Sequence, residues 1–245
     1  MSFLQTLSER APCARVALVI AHPDDETLAL GGLFAQVPGL LLVHVTDGVP
    51  RALPDAARHG GPAAYGALRA AELDRALAIA AVPGLRRIGL GIPDQDSVFH
   101  IGTVATCLAN LFDRHDIGTV VTHAYEGGHP DHDATACAVQ RAAGAVPVVA
   151  FAGYHAGTGG DFVTGFLPGA PITTLALTPP EHAQRRAMLD CYASQSEILS
   201  RFGDRHVQLR PAPPYDFSQP PHAGPLNYEN WGWSLTGQKF RELAA

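Results

Sequence analysis

An α/β fold, a Rossmann-like three-layer sandwich with a mostly parallel central sheet, is what three features of this sequence predict. Between residues 16 and 152, apolar runs of strand length alternate with stretches of helix length. Glycine and proline pairs such as Pro38-Gly39 and Pro83-Gly84 close the helical stretches. Two clusters of histidines and acids, His22 to Glu26 and His123 to Asp133, each directly follow an apolar run, which puts both at the carboxyl ends of strands, where open sheets of this kind place their catalytic loops.

The first strand is predicted at 16–20, where Val16-Ala17-Leu18-Val19-Ile20 is apolar throughout. A helix over 26–37 follows, with Glu26 at its positive end. A second strand is expected over 40–46, closed by the turn signal Asp47-Gly48, and then a loop over 49–63 that is too long for a simple connector. Alanine-rich residues 64–81 make a helix, 87–92 a strand, 101–115 a helix with Val104, Leu108, Leu111 and Phe112 on one face, and 118–122 another strand. A helix follows the second polar cluster and runs to about residue 143, and a fifth strand lies at 146–152. The remainder is less regular. Gly157 to Gly160 is expected as a flexible tip, 172–177 as a strand, 180–199 as a helix, and 235–243 as a closing helix. The whole of 1–245 is expected as one domain, with an ordered surface loop over 211–233 that carries six prolines together with Tyr215, Phe217, Tyr228, Trp231 and Trp233.

Composition narrows the partners. A net charge of −6 and a pI near 6.0 give no broad attraction for phosphate backbones or anionic lipid, so nucleic acid is not an expected partner. No apolar run reaches the ~18 residues that span a bilayer, and Met1 to Arg15 lacks a basic region followed by an apolar one, so no membrane insertion and a cytoplasmic location are expected. The four cysteines show no Cys-x-x-Cys spacing, which argues against a zinc knuckle or redox pair and for reduced thiols. Nothing in the sequence decides between a monomer and a homo-oligomer.

The two clusters have the chemistry of one site. A divalent metal in a hydrolytic site commonly takes three His, Asp or Glu ligands and leaves a position for water. His22, Asp25 and His132 supply that set. Pro23 restricts the loop, so the adjacent Asp24 and Asp25 diverge: Asp25 is assigned to the metal and Asp24 to the water. A helix cap is the alternative for His129 and His132, since Asp133 is itself a good cap residue. A phosphoesterase fits less well, because two-metal sites need more carboxylates and neither motif holds a Lys or Arg to clamp phosphate.

Ala21-His22-Pro23-Asp24-Asp25-Glu26 after the first strand, paired with His129-Pro130-Asp131-His132 far downstream, closely resembles the zinc-dependent N-deacetylases of the PIG-L or LmbE-like family. The resemblance covers about residues 15–150 and implies removal of an acetyl group from an N-acetylated amino sugar of the N-acetylglucosamine type, or its conjugate, by a zinc-activated water. It implies His22, Asp25 and His132 as zinc ligands, with ferrous iron also suited to them. It further implies Asp24 as general base and His129 as its opposite number, protonated beside carboxylates, serving as oxyanion stabiliser or proton donor. Arg69 and Glu72 resemble a family Arg-x-x-Glu pattern whose arginine approaches the sugar, with a helix ion pair as the alternative. Asp94 matches a family Pro-Asp turn and is a sugar-hydroxyl candidate. Where some members carry a tyrosine two residues before the free histidine, this chain has Gly127; Tyr125 could swing in instead, or the Gly127-Gly128 pair only lets the loop approach substrate closely. Asp131 is expected either to orient an imidazole or to be a solvated acid. Trp231 and Trp233 could stack on a sugar ring or pin a loop. An amidase on a non-sugar substrate such as an acylated thiol conjugate, and a metal- or sugar-binding module without turnover, are the rival functions. No Gly-x-Gly-x-x-Gly follows the first strand, so the fold carries no dinucleotide signal.

Overall fold

The computed structural model describes residues 1–51 and 54–245. A short helix α1 (Phe3–Ser8) leads into β1 (Val16–Ile20), α2 (Asp25–Leu30), β2 (Leu41–Pro50), α3 (Pro54–Arg58), α4 (Pro62–Ala80), β3 (Arg86–Asp94), α5 (Ile101–Arg114), β4 (Thr119–His123), α6 (Pro130–Ala143) and β5 (Val148–Phe151). The hairpin β6 (Tyr154–Ala156) and β7 (Phe162–Thr164) follows, then β8 (Thr173–Ala176), α7 (Pro179–Leu189), α8 (Ser196–Leu199), β9 (His206–Pro211), α9 (Asn227–Asn230) and α10 (Gly237–Leu243). Seven strands form the main sheet in the order β3-β2-β1-β4-β5-β9-β8. The pairs among β1 to β5 are parallel, whereas β9 runs antiparallel to both β5 and β8.

β1 lies at the centre because it is apolar on both faces. Val16, Leu18 and Ile20 enter the core beneath α2, α4 and α7, while Ala17 and Val19 enter the opposite core beneath α5, α6 and α10. The chain runs outward from β1 through β2 to β3, then returns to β4 on the other side of β1. This reversal opens a crevice at the carboxyl ends of β1 and β4, the switch point where open α/β sheets bind ligands. His22 to Asp25 leave one lip of it and His123 to His132 the other.

Several expected boundaries differ for identifiable reasons. The helix expected over 26–37 ends at Leu30, because Gly31 and Gly32 take the chain closely past α7, and a 3-10 turn at Phe34–Gln36 follows. β2 continues through Asp47-Gly48 to Pro50, its pairing with β3 becoming irregular after His44, so the expected turn is a bulge within a strand. The expected loop over 49–63 is in part strand and helix, and its residues 52 and 53 lie outside the described residues. The helix expected over 180–199 stops at Leu189. There Tyr192 donates its hydroxyl proton to Glu26 and Ser194 donates to Glu72 from both its backbone N–H and its hydroxyl, bonds that draw the chain out of the helix. The expected tip at Gly157 to Gly160 connects β6 to β7. β9 was not foreseen: Val207 and Leu209 are its core contacts, but the buried cation Arg210 hides the apolar pattern.

All four cysteines are free thiols, and no described helix is long and apolar enough to cross a membrane. Leu18 is fully buried at the centre of the sheet, so Leu18→Ala is expected to lower stability by about 2–5 kcal/mol in urea unfolding, since the rigid surroundings cannot close over the void.

Candidate active site

β1 ends at Ile20, and the next four residues turn sharply before α2 begins at Asp25. The turn depends on Asp24, which holds the backbone at φ 125°, ψ −31°, a conformation unfavourable for a residue with a side chain by about 1–3 kcal/mol. Glu26 enforces it. One oxygen of its fully buried carboxylate accepts the Asp24 N–H at 2.9 Å and lies 3.5 Å from His44 Nε2, while the other accepts the hydroxyls of Thr27 (2.6 Å) and Tyr192 (2.5 Å). From the opposite side Arg69 donates to the Pro23 carbonyl at 2.5 Å and to Asp24 Oδ2 at 3.1 Å. Gly48, at φ 68°, leaves room for that guanidinium: a Cβ there would lie 3.0 Å from it and 2.9 Å from Pro23. Asp24 and Asp25 therefore point different ways, as expected of a loop restricted by Pro23.

Asp25 faces the histidines. Its Oδ2 accepts the His22 N–H at 2.8 Å and lies 3.4 Å from both His22 Nδ1 and His123 Nε2, and its Oδ1 lies 3.5 Å from His132 Nε2. Ligating atoms of His22, His129 and His132 lie within 4.8 Å of one another, as do those of Asp25, His123 and His132, and those of His22, Asp94, His129 and Asp131. His22 and His132 thus share one of these overlapping groups and Asp25 joins His132 in another, and His123 is a member that sequence reasoning passed over. Its position as the last residue of β4, pointing to the same edge, was the available signal.

Electrostatics here favour a cation. Against the desolvation that would lower it, His22 is raised well above the usual imidazole range by Asp94, Asp131 and Asp25. Burial first, and then His123, hold His132 neutral, the form in which an imidazole can donate its lone pair. Asp25 stays ionised because His132 and His123 outweigh its desolvation. Asp24 differs: burial first, reinforced by Asp25 and Glu26, pushes it up to about 7 despite Arg69 and His22. Two buried imidazoles beside an ionised carboxylate fit a zinc-type divalent ion by donor chemistry.

Asp131 is an orienting group and not a solvated acid. It is fully buried, accepts from Gln95 N–H (2.6 Å), Ser97 N–H (3.1 Å) and the Ser97 hydroxyl, and lies 3.1 Å from His22 Nε2. His129 caps α6, its Nδ1 accepting the Asp131 N–H at 3.1 Å, which leaves Nε2 to carry the proton of the neutral ring, 3.6 Å from Asp94. Burial and the adjacent His22 bring His129 down to about 4, against the raising effect of Asp94, Asp131 and Asp25 from which a protonated ring is expected.

The groups open into a cavity of about 470 Å³ lined by His22, Asp24, Asp25, Asp94, His129 and His132 at its base. Tyr154, Ser194, Gln195, Arg201, Phe202 and Trp231 contribute walls that sequence reasoning missed apart from Trp231, because they come from the irregular final third. Trp233 also lines it, with its ring 5.0 Å from that of His129, so it packs against the site as well as facing it. Arg69 lines the cavity, but its bonds are to Pro23 and Asp24; its Glu72 neighbour is 3.9 Å away and is committed to Ser194.

Tyr125 is a correction. It is buried, donates its hydroxyl to the Gln219 carbonyl at 2.8 Å and packs against Phe217 and Phe240 in the α5–α6 core, away from the cavity. The Gly127-Gly128 pair brings the loop close to Leu226 and the Tyr154 carbonyl, where a Cβ would come within 2.5 and 2.1 Å.

Glu26→Gln should leave one of its donors unmatched and weaken the hold on Asp24. A stability loss of about 1–3 kcal/mol in urea unfolding is expected. Tyr125→Phe should lower stability by about 1 kcal/mol without altering metal content.

Three solved structures illustrate what the fold resembles. A teicoplanin deacetylase in a zinc-inhibited form superposes with a TM-score of 0.59 at 20% identity, over 81% of this chain and 97% of that one. The N,N'-diacetylchitobiose deacetylase of Pyrococcus horikoshii gives 0.54 at 13%, over 85% and 87%. The 4-carboxy-2-hydroxymuconate hydratase of Pseudomonas putida gives 0.54 at 18%, over 82% and 98%, so this fold also serves a reaction other than deacetylation. No curated protein matches the chain. Residues 17–143 match the family PIG-L: GlcNAc-PI de-N-acetylase, a span that carries every residue at the base of the cavity, and the chain belongs to that family.

Proposed function

We propose that this protein is a metal-dependent hydrolase that removes the acetyl group from an N-acetylated amino sugar, of the N-acetylglucosamine type, or from its conjugate. The observation that carries this reading is the division between neighbours at the end of β1: Asp25 sits within 3.5 Å of His22 and His132, while Asp24 is turned away onto Arg69 at the edge of the same cavity. A binding module needs the first arrangement only. The family description and the two deacetylases of similar fold support the same choice.

His22, Asp25 and His132 are the residues that would hold the metal, zinc first and ferrous iron second. When bound, the ion supplies a Lewis acid that polarises the acyl oxygen and acidifies water. Asp24 accepts the proton of the attacking water, its other contacts being the Arg69 bond and a backbone that cannot turn it elsewhere. His129 donates from Nε2 to the oxygen that becomes negative, because its Nδ1 is occupied by the Asp131 N–H. Asp131 holds His22 through Nε2, leaving Nδ1 on the side of Asp25. Asp94, which lines the cavity and whose Oδ1 has no hydrogen-bond partner among the described residues, accepts a substrate hydroxyl. Trp231, about two-fifths exposed at the mouth, offers a face on which a sugar ring can stack.

Purified protein should hold about one divalent ion per chain. Release of primary amine from a panel of N-acetylated sugars and glycoconjugates, with and without chelator, tests the activity. Absence of amine release with any metal would reject it, and water addition to an unsaturated acid by the same preparation would redirect it to the hydratase chemistry. Asp24→Asn is expected to lower kcat about 10²–10⁴-fold with metal content unchanged. His132→Ala should lose the metal, as read by elemental analysis; full retention would take His132 out of the ligand set.

A further inference from the structure

A second cavity, of about 350 Å³, lies on the other side of Leu28 and Phe202 from the candidate active site, since both residues line both spaces. Its polar lining comes from Arg185 on α7, Thr164 on β7, Thr174 on β8, and His206 and Gln208 on β9. Arg185 is unusual. It is only 3% exposed, yet none of the ion pairs among the described residues includes it, and its Nε has no hydrogen-bond partner. Its Nη1 donates to the Leu28 carbonyl at 3.1 Å. The acid that acts on it most, Asp204, is already 3.2 Å from His182 and 3.6 Å from Arg186. A guanidinium that is buried without an anion forfeits hydration that no protein group replaces, which is why buried arginines are almost always paired.

We propose that this cavity is an anion site, in which Arg185 takes a small oxyanion, a carboxylate such as acetate or an inorganic phosphate, with the hydroxyl of Thr174 and the amide of Gln208 completing its hydrogen bonds. Arginine's planar fork suits both oxyanions, and the donors around it carry no competing carboxylate among the described lining residues. The site is distinct from the metal-binding groups, and it touches them through α2: Leu28 accepts the Arg185 bond, and Asp25 begins the same helix. The proposal does not depend on the hydrolytic reading, because its test measures binding.

The experiment is thermal unfolding of the full chain in sodium acetate and, separately, in sodium phosphate, each against sodium chloride at matched ionic strength. A saturable rise in Tm with either oxyanion, roughly 5–10 °C at a hundredfold excess over Kd, is expected of the wild type. The acetate and phosphate arms distinguish a carboxylate site from a phosphate site. Arg185→Gln should abolish the rise, but that variant also loses the bond to Leu28. Thr174→Trp therefore provides the second test, filling the cavity from an exposed edge-strand position while leaving Arg185 itself unsubstituted. A wild-type response no larger than that in chloride, or an undiminished rise in Thr174→Trp, overturns the proposal. A rise that is lost or sharply reduced in Thr174→Trp upholds it.

Discussion

The constraint on which the site depends is the backbone of Asp24. Two adjacent carboxylates at a strand end would ordinarily both turn towards the strongest local cation, and one site would then hold two copies of the same function. A φ of 125° prevents this by rotating one side chain away from the other. Such a conformation persists only where the surroundings outweigh its cost, and here they come from distant parts of the chain: Glu26 beside it, Arg69 from α4, His44 from β2 and Tyr192 beyond α7. Glu26, the last letter of the motif, touches neither the cavity nor the histidines in the way its neighbours do. It is the residue that makes the two aspartates different.

Arg69 and Glu72, which resemble a substrate-binding pair, also hold the protein itself, with Arg69 still lining the cavity. Arg69 donates from Nη2 to Pro23 and Asp24 while its Nε and Nη1 have no hydrogen-bond partner among the described residues, and Glu72 accepts from Ser194. Each ties α4 to a different wall of the crevice. A charged pair at helical spacing offers no clue to this, because the partners lie 45 and 122 residues away.

Much of the fold was legible for a simple reason. β1, β2, β4 and β5 are buried strands, whose apolar runs stand out against polar connections. The same contrast located the two clusters at one sheet edge, and the structure brings His22, Asp25, His129 and His132 together there. Legibility failed where tertiary bonds override local pattern. α7 looks continuous with α8 until Tyr192 and Ser194 are pulled towards Glu26 and Glu72, and β9 is hidden by Arg210, whose burial is supported by Glu126 at 3.2 Å, the Leu167 carbonyl and the Phe166 ring. Tyr125 misled for a related reason: adjacency to a polar cluster says nothing about which face of a loop a ring occupies, and this ring lies with Phe217 and Phe240.

The boundary between what was and was not legible coincides with a division in the site. The base of the cavity comes from residues within the family match at 17–143, whereas Tyr154, Ser194, Gln195, Phe202, Trp231 and Trp233 all come after it. Chemistry that must polarise a bond and move a proton tolerates little variation in the groups at the base, and so leaves a short, recognisable motif. Walls that fit one ligand are free to differ, and besides Pro50, His59 and Tyr65 they are assembled here from a hairpin, a broken helix and a proline-rich segment with no periodic signature. A fold shared with both deacetylases and a hydratase has the same logic. The sheet edge supplies the base of the cavity, and most of its walls come from the chain beyond the family match.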